Sequence, residues 1–279
     1  MDGATAQVEA QGELARLATL PDLAIDLAEA ALALSVIELP LRDRNKYRIQ
    51  LMDIAGAVAE RAVQAETAAQ RAALLAEVIQ DRGQFRCDEQ EDALDPVNLI
   101  TLLDNRRGPS LLLALLWLDA GRRQGWSMAA LTFPGHALIR LDDENGGRVV
   151  VDPAAGGLLL DAHDLRDLLK AQSGLTAELE PGHYADQANR EVLLTLLTVN
   201  KLRCLRLGQV RRASEALETA LLLAPHKTSL WREMGLMQLR LGEIRDAIRA
   251  LERFVAEAPN SVSRHRTTAL LQELRDRMT

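Results

Sequence analysis

Apolar residues recur at helical spacing over 22–37, 43–64 and 67–82, and each stretch predicts an amphipathic helix. Pro21-Asp22 opens the first, and Pro40 marks the gap after it. The pattern then lapses, because Gly83 to Asp95 (GQFRCDEQEDALD) is polar and acidic and reads as a loop before a short helix over Pro96 to Asn105. Gly108-Pro109-Ser110 introduces a nearly unbroken apolar run, Leu111 to Ala120, which fits a helix buried on all sides and ending near Gly125.

Beyond that helix the period shortens. Met128 to Thr132, His136 to Leu141 and Arg148 to Asp152 have β character, and the last two are joined across Asp142 to Gly147 (DDENGG), a hairpin signal. Gly156-Gly157 breaks the chain again, and Asp161 to Gln172 returns to helix with Asp161 placed as its cap. A buried helix followed by antiparallel strands predicts an α+β core in a mostly α chain.

The carboxy-terminal third repeats itself. Leu207-Gly208 and Leu241-Gly242, Ala213 and Ala247, and Pro225 and Pro259 are each 34 residues apart, the tetratricopeptide period. Trp231 and Gly235 occupy first-helix positions of the second copy, where the first copy has Leu197 and Lys201. Ser263 to Met278 reads as one further amphipathic helix that caps the stack. The expected division is therefore 1–185, a helical region with an α+β core, and 186–279, an all-α repeat region.

Composition narrows the function. A net charge of −7 argues against nucleic acid as a partner, although Arg203 to Arg212 is locally basic. Cys87 and Cys204, the only two cysteines, have no metal-ligand spacing and suggest neither a disulfide framework nor a metal or other cofactor. The start of the chain lacks a basic segment followed by an apolar run, and no stretch is long enough to span a membrane, so a cytoplasmic protein is expected.

One set of residues has the ingredients of catalysis. Ser110 places a hydroxyl at the start of the buried helix, His136 an imidazole on one strand, and Asp152 a carboxylate on the next. If the hairpin loop has an odd number of residues, Asp152 falls opposite Leu138 and on the face of His136, while free N–H groups at the helix start could hold an oxyanion. Each residue also has a structural reading: Ser110 as a helix cap, His136 as a histidine bonded to Asp152, and Asp152 as a turn opener bonding the backbone after it. Cys87 stands among carboxylates that raise its pKa, which disfavours it as a nucleophile.

The series Arg106-Arg107-Gly108, Arg122-Arg123 with Gly125, Phe133-Pro134-Gly135-His136-Ala137-Leu138-Ile139-Arg140, and Val151-Asp152-Pro153 with Gly156-Gly157 resembles the transglutaminase-like core of the bacterial SirB family. Gln84-Phe85 and Asp95-Pro96-Val97-Asn98 extend the resemblance, which with the repeats covers the chain from about Leu27 onward. It implies a papain-like α+β fold, with cysteine at the start of the core helix and histidine and aspartate on adjacent strands. The cysteine position falls on Ser110, and a serine common in the family falls on Leu112. His136 and Asp152 match the pattern but the thiol is missing, so the resemblance implies a degenerate enzyme with a regulatory association. The expected function is a non-catalytic protein whose repeats hold a protein or peptide on their concave face. The rival is a serine acyltransferase or amide hydrolase with Ser110 as nucleophile, His136 as base and Asp152 as orienter.

Overall fold

In the computed structural model, which describes residues 2–89 and 97–276, the apolar run becomes the centre of the first of two compact units. That unit comprises 2–7 and 21–196, and the second comprises 8–20 with 197–276. The helices in chain order are α1 (Gly3–Leu17), α2 (Leu27–Glu38), α3 (Arg44–Ala62), α4 (Ala68–Ala76), α5 (Leu99–Asn105), α6 (Ser110–Arg122) and α7 (Ala162–Ser173). They continue with α8 (Asn189–Arg206), α9 (Val210–Leu223), α10 (Thr228–Arg240), α11 (Ile244–Glu257) and α12 (Val262–Asp276). The strands are β1 (Arg86–Cys87), β2 (Arg107–Gly108), β3 (Ser127–Leu131), β4 (Ile139–Asp142), β5 (Arg148–Asp152), β6 (Leu158–Leu160) and β7 (Asp186–Gln187). The fold is thus mostly helical with a small antiparallel sheet, as the sequence pattern predicts.

Every residue from Leu112 to Gly121 of α6 is buried, which explains a run with no polar face. Beside it lies a five-stranded antiparallel sheet ordered β6-β5-β4-β3-β7. The β4–β5 hairpin pairs Ile139 with Val151 and Asp142 with Arg148. Its loop is held from within, because the Asp143 carboxylate accepts from the N–H groups of Asn145 at 3.0 Å and Gly147 at 2.8 Å. A third bond, from Ala68 N–H at 3.0 Å, ties the same carboxylate to the start of α4. These backbone bonds, Ala68 first, hold the Asp143 carboxyl below its usual range.

Several elements depart from the sequence pattern for local reasons. The helix expected over 22–37 is interrupted: Asp22–Ala24 forms a 3-10 turn, and Asp26 then caps α2 by accepting from Glu29 N–H at 3.0 Å. The helix expected over 67–82 leaves α geometry after Ala76, and Glu77–Arg82 is π-helical. The strand expected from His136 begins only at Ile139, since Pro134-Gly135 forms a turn with Gly135 at φ 73° and Gln172 of α7 against it. Within the expected loop Arg86–Cys87 pairs in parallel with Arg107–Gly108. The loop beyond residue 89, Pro96 of the next expected helix, and positions 277–278 of the last lie outside the described residues.

Polar side chains join the elements of this unit. The Asp22 carboxylate accepts from Asn189 and Arg190 N–H groups, both at 2.8 Å, and so caps α8. Asn189 in turn accepts from Arg122 at 3.0 Å, and Arg122 also donates to Met128 O in β3. Buried Ser35 of α2 accepts from Leu99 N–H at 3.1 Å, satisfying the start of α5.

The second unit has the repeat geometry the 34-residue offset predicts. Gly208 and Gly242 close α8 and α10 at φ 71° and 77°, conformations costly for a residue with a Cβ. The capping bonds also repeat, with Gln209 N–H donating to Cys204 O at 2.8 Å and Glu243 N–H to Gln238 O at 2.9 Å. Ala213 of α9 and Ala247 of α11 are fully buried at the same repeat position. Gly235 allows α10 to meet α11 so closely that a Cβ there would lie 2.4 Å from Leu251 Cγ. Arg253 covers the Trp231 ring at 4.2 Å, and Leu271 and Leu274 of α12 close over Leu251. Val8–Leu20, which includes most of α1, joins this unit although no sequence pattern assigns it there.

Candidate functional site

The start of α6 is built by the chain crossing in front of it. Asp88 N–H donates to Gly108 O at 2.9 Å, and the β1–β2 ladder sets Cys87 opposite Gly108, two residues before Ser110. Pro109 stands at the N-cap, so Ser110 is the first helical residue and its side chain makes no cap. The Ser110 backbone N–H instead donates to Glu89 Oε1 at 2.8 Å. That N–H is one of the groups proposed for an oxyanion, and a carboxylate of the chain already occupies it.

The same carboxylate lies 3.6 Å from Cys87 Sγ. Burial pushes the Cys87 thiol up, and the charges of Glu89, Asp152 and Asp88 add to it, raising its pKa to about 12. The thiol is therefore protonated at neutral pH.

Asp152 ends β5 and is buried. Its Oδ1 accepts from Ala154 N–H at 2.9 Å and Ala155 N–H at 3.3 Å, which makes it the turn opener that Asp-Pro suggests. Continuing the β4–β5 register sets Leu138 opposite Asp152, as an odd loop requires, and Leu131 N–H donates to Leu138 O at 2.9 Å. His136 lies two residues earlier, outside the strand, half-buried and edge-on to Phe133 at 6.0 Å between ring centroids. Among the described residues no hydrogen bond joins His136 to Asp152 or to Ser110.

Two contributors escaped sequence reasoning. Gln80 in the π-helical segment donates to Pro153 O, the carbonyl directly after Asp152, while Arg86 donates to Gln80 O. Nothing in the apolar period distinguishes that segment from ordinary helix. Glu89 sits in an acidic loop where no local spacing singles it out. The part played by Arg122-Arg123 is also clear: Arg122 anchors β3 and α8, and Arg123 pairs with buried Asp119 at 2.9 Å.

Residues 45–198 match the family described as "Transglutaminase-like superfamily", a span of more than half the chain. The chain belongs to the transglutaminase-like superfamily. Residues 201–272 match the tetratricopeptide repeat family. A "UPF0162 protein" of Xylella fastidiosa strain 9a5c is 28% identical over 156 residues, 52% of this chain and 53% of the relative. A UPF0162 protein of Pseudomonas aeruginosa is 26% identical over 172 residues, 61% of this chain and 62% of the relative. The chain therefore spans between half and two thirds of the length of these curated relatives. No solved structure matches it. Among the described residues, no helix is long and apolar enough to cross a membrane.

Proposed function

We propose that this transglutaminase-like chain is a non-catalytic, cytoplasmic interaction protein of SirB type, and that its repeats bind an acidic protein or peptide segment. The observation that carries this reading is a face that recurs with the repeat. Leu202, Leu236 and Leu270 stand 34 residues apart on α8, α10 and α12. Arg206 and Arg240 share that offset, as do Arg232 and Arg266. Leu202 is 47% exposed, Leu236 is half-buried, and Leu270 is half-buried against the Leu251 cluster. Arg206, Arg240 and Arg266 are exposed along the same helices, and half-buried Arg232 donates to Thr267 Oγ1 at 3.3 Å. Apolar side chains edged by guanidinium groups, on a chain of net charge −7, favour a ligand with its own apolar and acidic residues.

The core supports the non-catalytic half of the proposal. No cysteine stands at position 110, where α6 begins, the Ser110 N–H holds Glu89, and Asp152 Oδ1 is committed to its turn. Freeing the Ser110 N–H for an oxyanion would break a charge-assisted bond worth roughly 1.5–3 kcal/mol. Affinity purification of the tagged full chain from its own cell tests the repeat face. A partner retained by the wild type and lost from Arg232→Glu/Arg240→Glu is the expected result, and equal recovery by both would refute it.

A serine-based hydrolase remains the second reading, favoured by Ser110 at a helix start and by the β4–β5 register, which continued by one residue sets Leu138, two residues after His136, opposite Asp152. It requires a fluorophosphonate probe to label Ser110 and His136→Ala to abolish the label. Absence of labelling between about pH 6 and pH 9 removes it.

A further inference from the structure

The Arg106-Arg107-Gly108 series leads into α6, yet neither of its arginine side chains takes part in the contacts around Ser110. Arg107 is the partner of Arg86 in the parallel β1–β2 ladder, where the Arg86 N–H donates to Arg106 O at 2.9 Å. Register partners leave a ladder on the same side from backbones about 4.8 Å apart, so two exposed arginine side chains start as neighbours. Like charges placed directly opposite on paired strands repel.

Among the described residues, no carboxylate pairs with Arg86, Arg106 or Arg107. Arg86 Nη1 donates to the carbonyls of Gln80 and Phe85, the second at 3.0 Å. Arg106 caps α5 at φ 57°, a conformation in which glycine is the usual residue. Its guanidinium lies 4.4 Å from the centre of the Phe85 ring and donates to Gly83 O at 3.4 Å. Arg107 makes no side-chain hydrogen bond or ion pair within the described residues. Elsewhere in this unit arginines are matched, Arg48 with Glu29, Arg82 with Glu77 and Arg140 with Asp142. Carbonyl groups and an aromatic face orient Arg86 and Arg106 without cancelling their charge, so the ladder keeps a local positive field on a chain of net charge −7.

Charge and shape narrow the ligand. A carboxylate carries one charge and is satisfied by one guanidinium fork. A phosphate group gathers roughly 1.5–2 negative charges and three oxygens at one centre, enough to accept from two forks at once. We propose that Arg86 and Arg107 form a binding site for a phosphate group, either the free ion or the end of a small phosphate ester, with Arg106 adding to the attraction. Bridging the two side chains relieves their repulsion and ties β1 to β2, the ladder that leads to Glu89 at the start of α6.

Two-dimensional NMR of the full chain, titrated with inorganic phosphate, O-phosphoserine or succinate at constant ionic strength, tests this. Both phosphates should give saturable amide shifts at residues 86–87 and 107–108, with dissociation constants of about 10 mM or below, as expected for exposed charges. Arg107→Ala should weaken binding about fivefold or more and leave circular dichroism and Tm unchanged, since Arg107 holds no other element. Arg166→Ala, at an exposed arginine of α7, should bind as the wild type does. Tighter binding of O-phosphoserine than of inorganic phosphate supports an ester as the ligand, and the opposite order supports the free ion. Absence of saturable shifts up to about 50 mM phosphate overturns the proposal. So does succinate binding as tightly as phosphate, or wild-type affinity in Arg107→Ala.

Discussion

Glu89 touches both groups that could be expected to react at the start of α6. Its Oε1 lies 2.8 Å from Ser110 N and 3.6 Å from Cys87 Sγ, so one charge fills the N–H and discourages the thiolate. At neutral pH iodoacetamide should therefore modify Cys87 roughly a hundredfold or more slowly than an unperturbed thiol, and Glu89→Gln should speed the reaction. Peptide mapping by mass spectrometry checks both rates, and a Cys87 that reacts at the free-thiol rate contradicts the arrangement. Stability follows from the same shift. A thiol at 9.0 in the unfolded chain and about 12 in the folded one favours folding equally at all pH below about 9. The unfolded chain then loses its proton first, so this contribution falls as pH rises from about 9 towards 12. The difference in urea midpoint between wild type and Cys87→Ser, followed across that window, should show the decline.

At the scale of elements, caps and close crossings carry the testable energies. Asp22 satisfies the Asn189 and Arg190 N–H groups from far away in sequence, and Asp22→Ala should cost about 1–2 kcal/mol, read as a lower urea midpoint. Gly235→Ala drives a Cβ towards Leu251 and Ala247 O, and should cost about 1–3 kcal/mol through overpacking. The same particulars explain what the sequence reveals. Long elements with a strong period, such as α6 and the hairpins from α8 to α11, are legible because burial imposes the period and Leu-Gly turns need positive φ. The parity of the β4–β5 loop is less legible, since Asp142 reads as part of the loop in sequence but pairs with Arg148 at the end of β4, and that one residue makes the loop odd. Two-residue strands such as β1, β2 and β7 are not, because they are too short to alternate. The π-helical Glu77–Arg82 hides within a helical apolar period, and His136 looks like strand only until the Pro134-Gly135 turn is seen. Among site residues, the Asp152 turn is a local consequence of Asp-Pro, whereas Glu89 reaches Ser110 across 21 positions and leaves no local mark.

For the whole molecule, the proposal separates two regions of the chain by charge. The core sets the Glu89 carboxylate against the start of α6, while the repeat helices carry Arg206, Arg240 and Arg266 exposed along the leucine face. If recognition belongs to the repeats and the core is inert, removing the core hydroxyl with Ser110→Ala should leave partner recovery unchanged. Arg232→Glu/Arg240→Glu should abolish recovery while leaving the far-ultraviolet circular dichroism unaltered. Attraction between exposed charges is screened over about 10 Å at 0.1 M salt, so binding should also weaken steadily as salt is raised. The apolar contribution of Leu202, Leu236 and Leu270 should persist at high salt, because hydrophobic burial is not screened. Leu236→Asp should therefore remove the salt-resistant part of the binding and leave what persists sensitive to salt. Recovery that depends on Ser110 but not on these side chains would move recognition to the core and favour the serine reading.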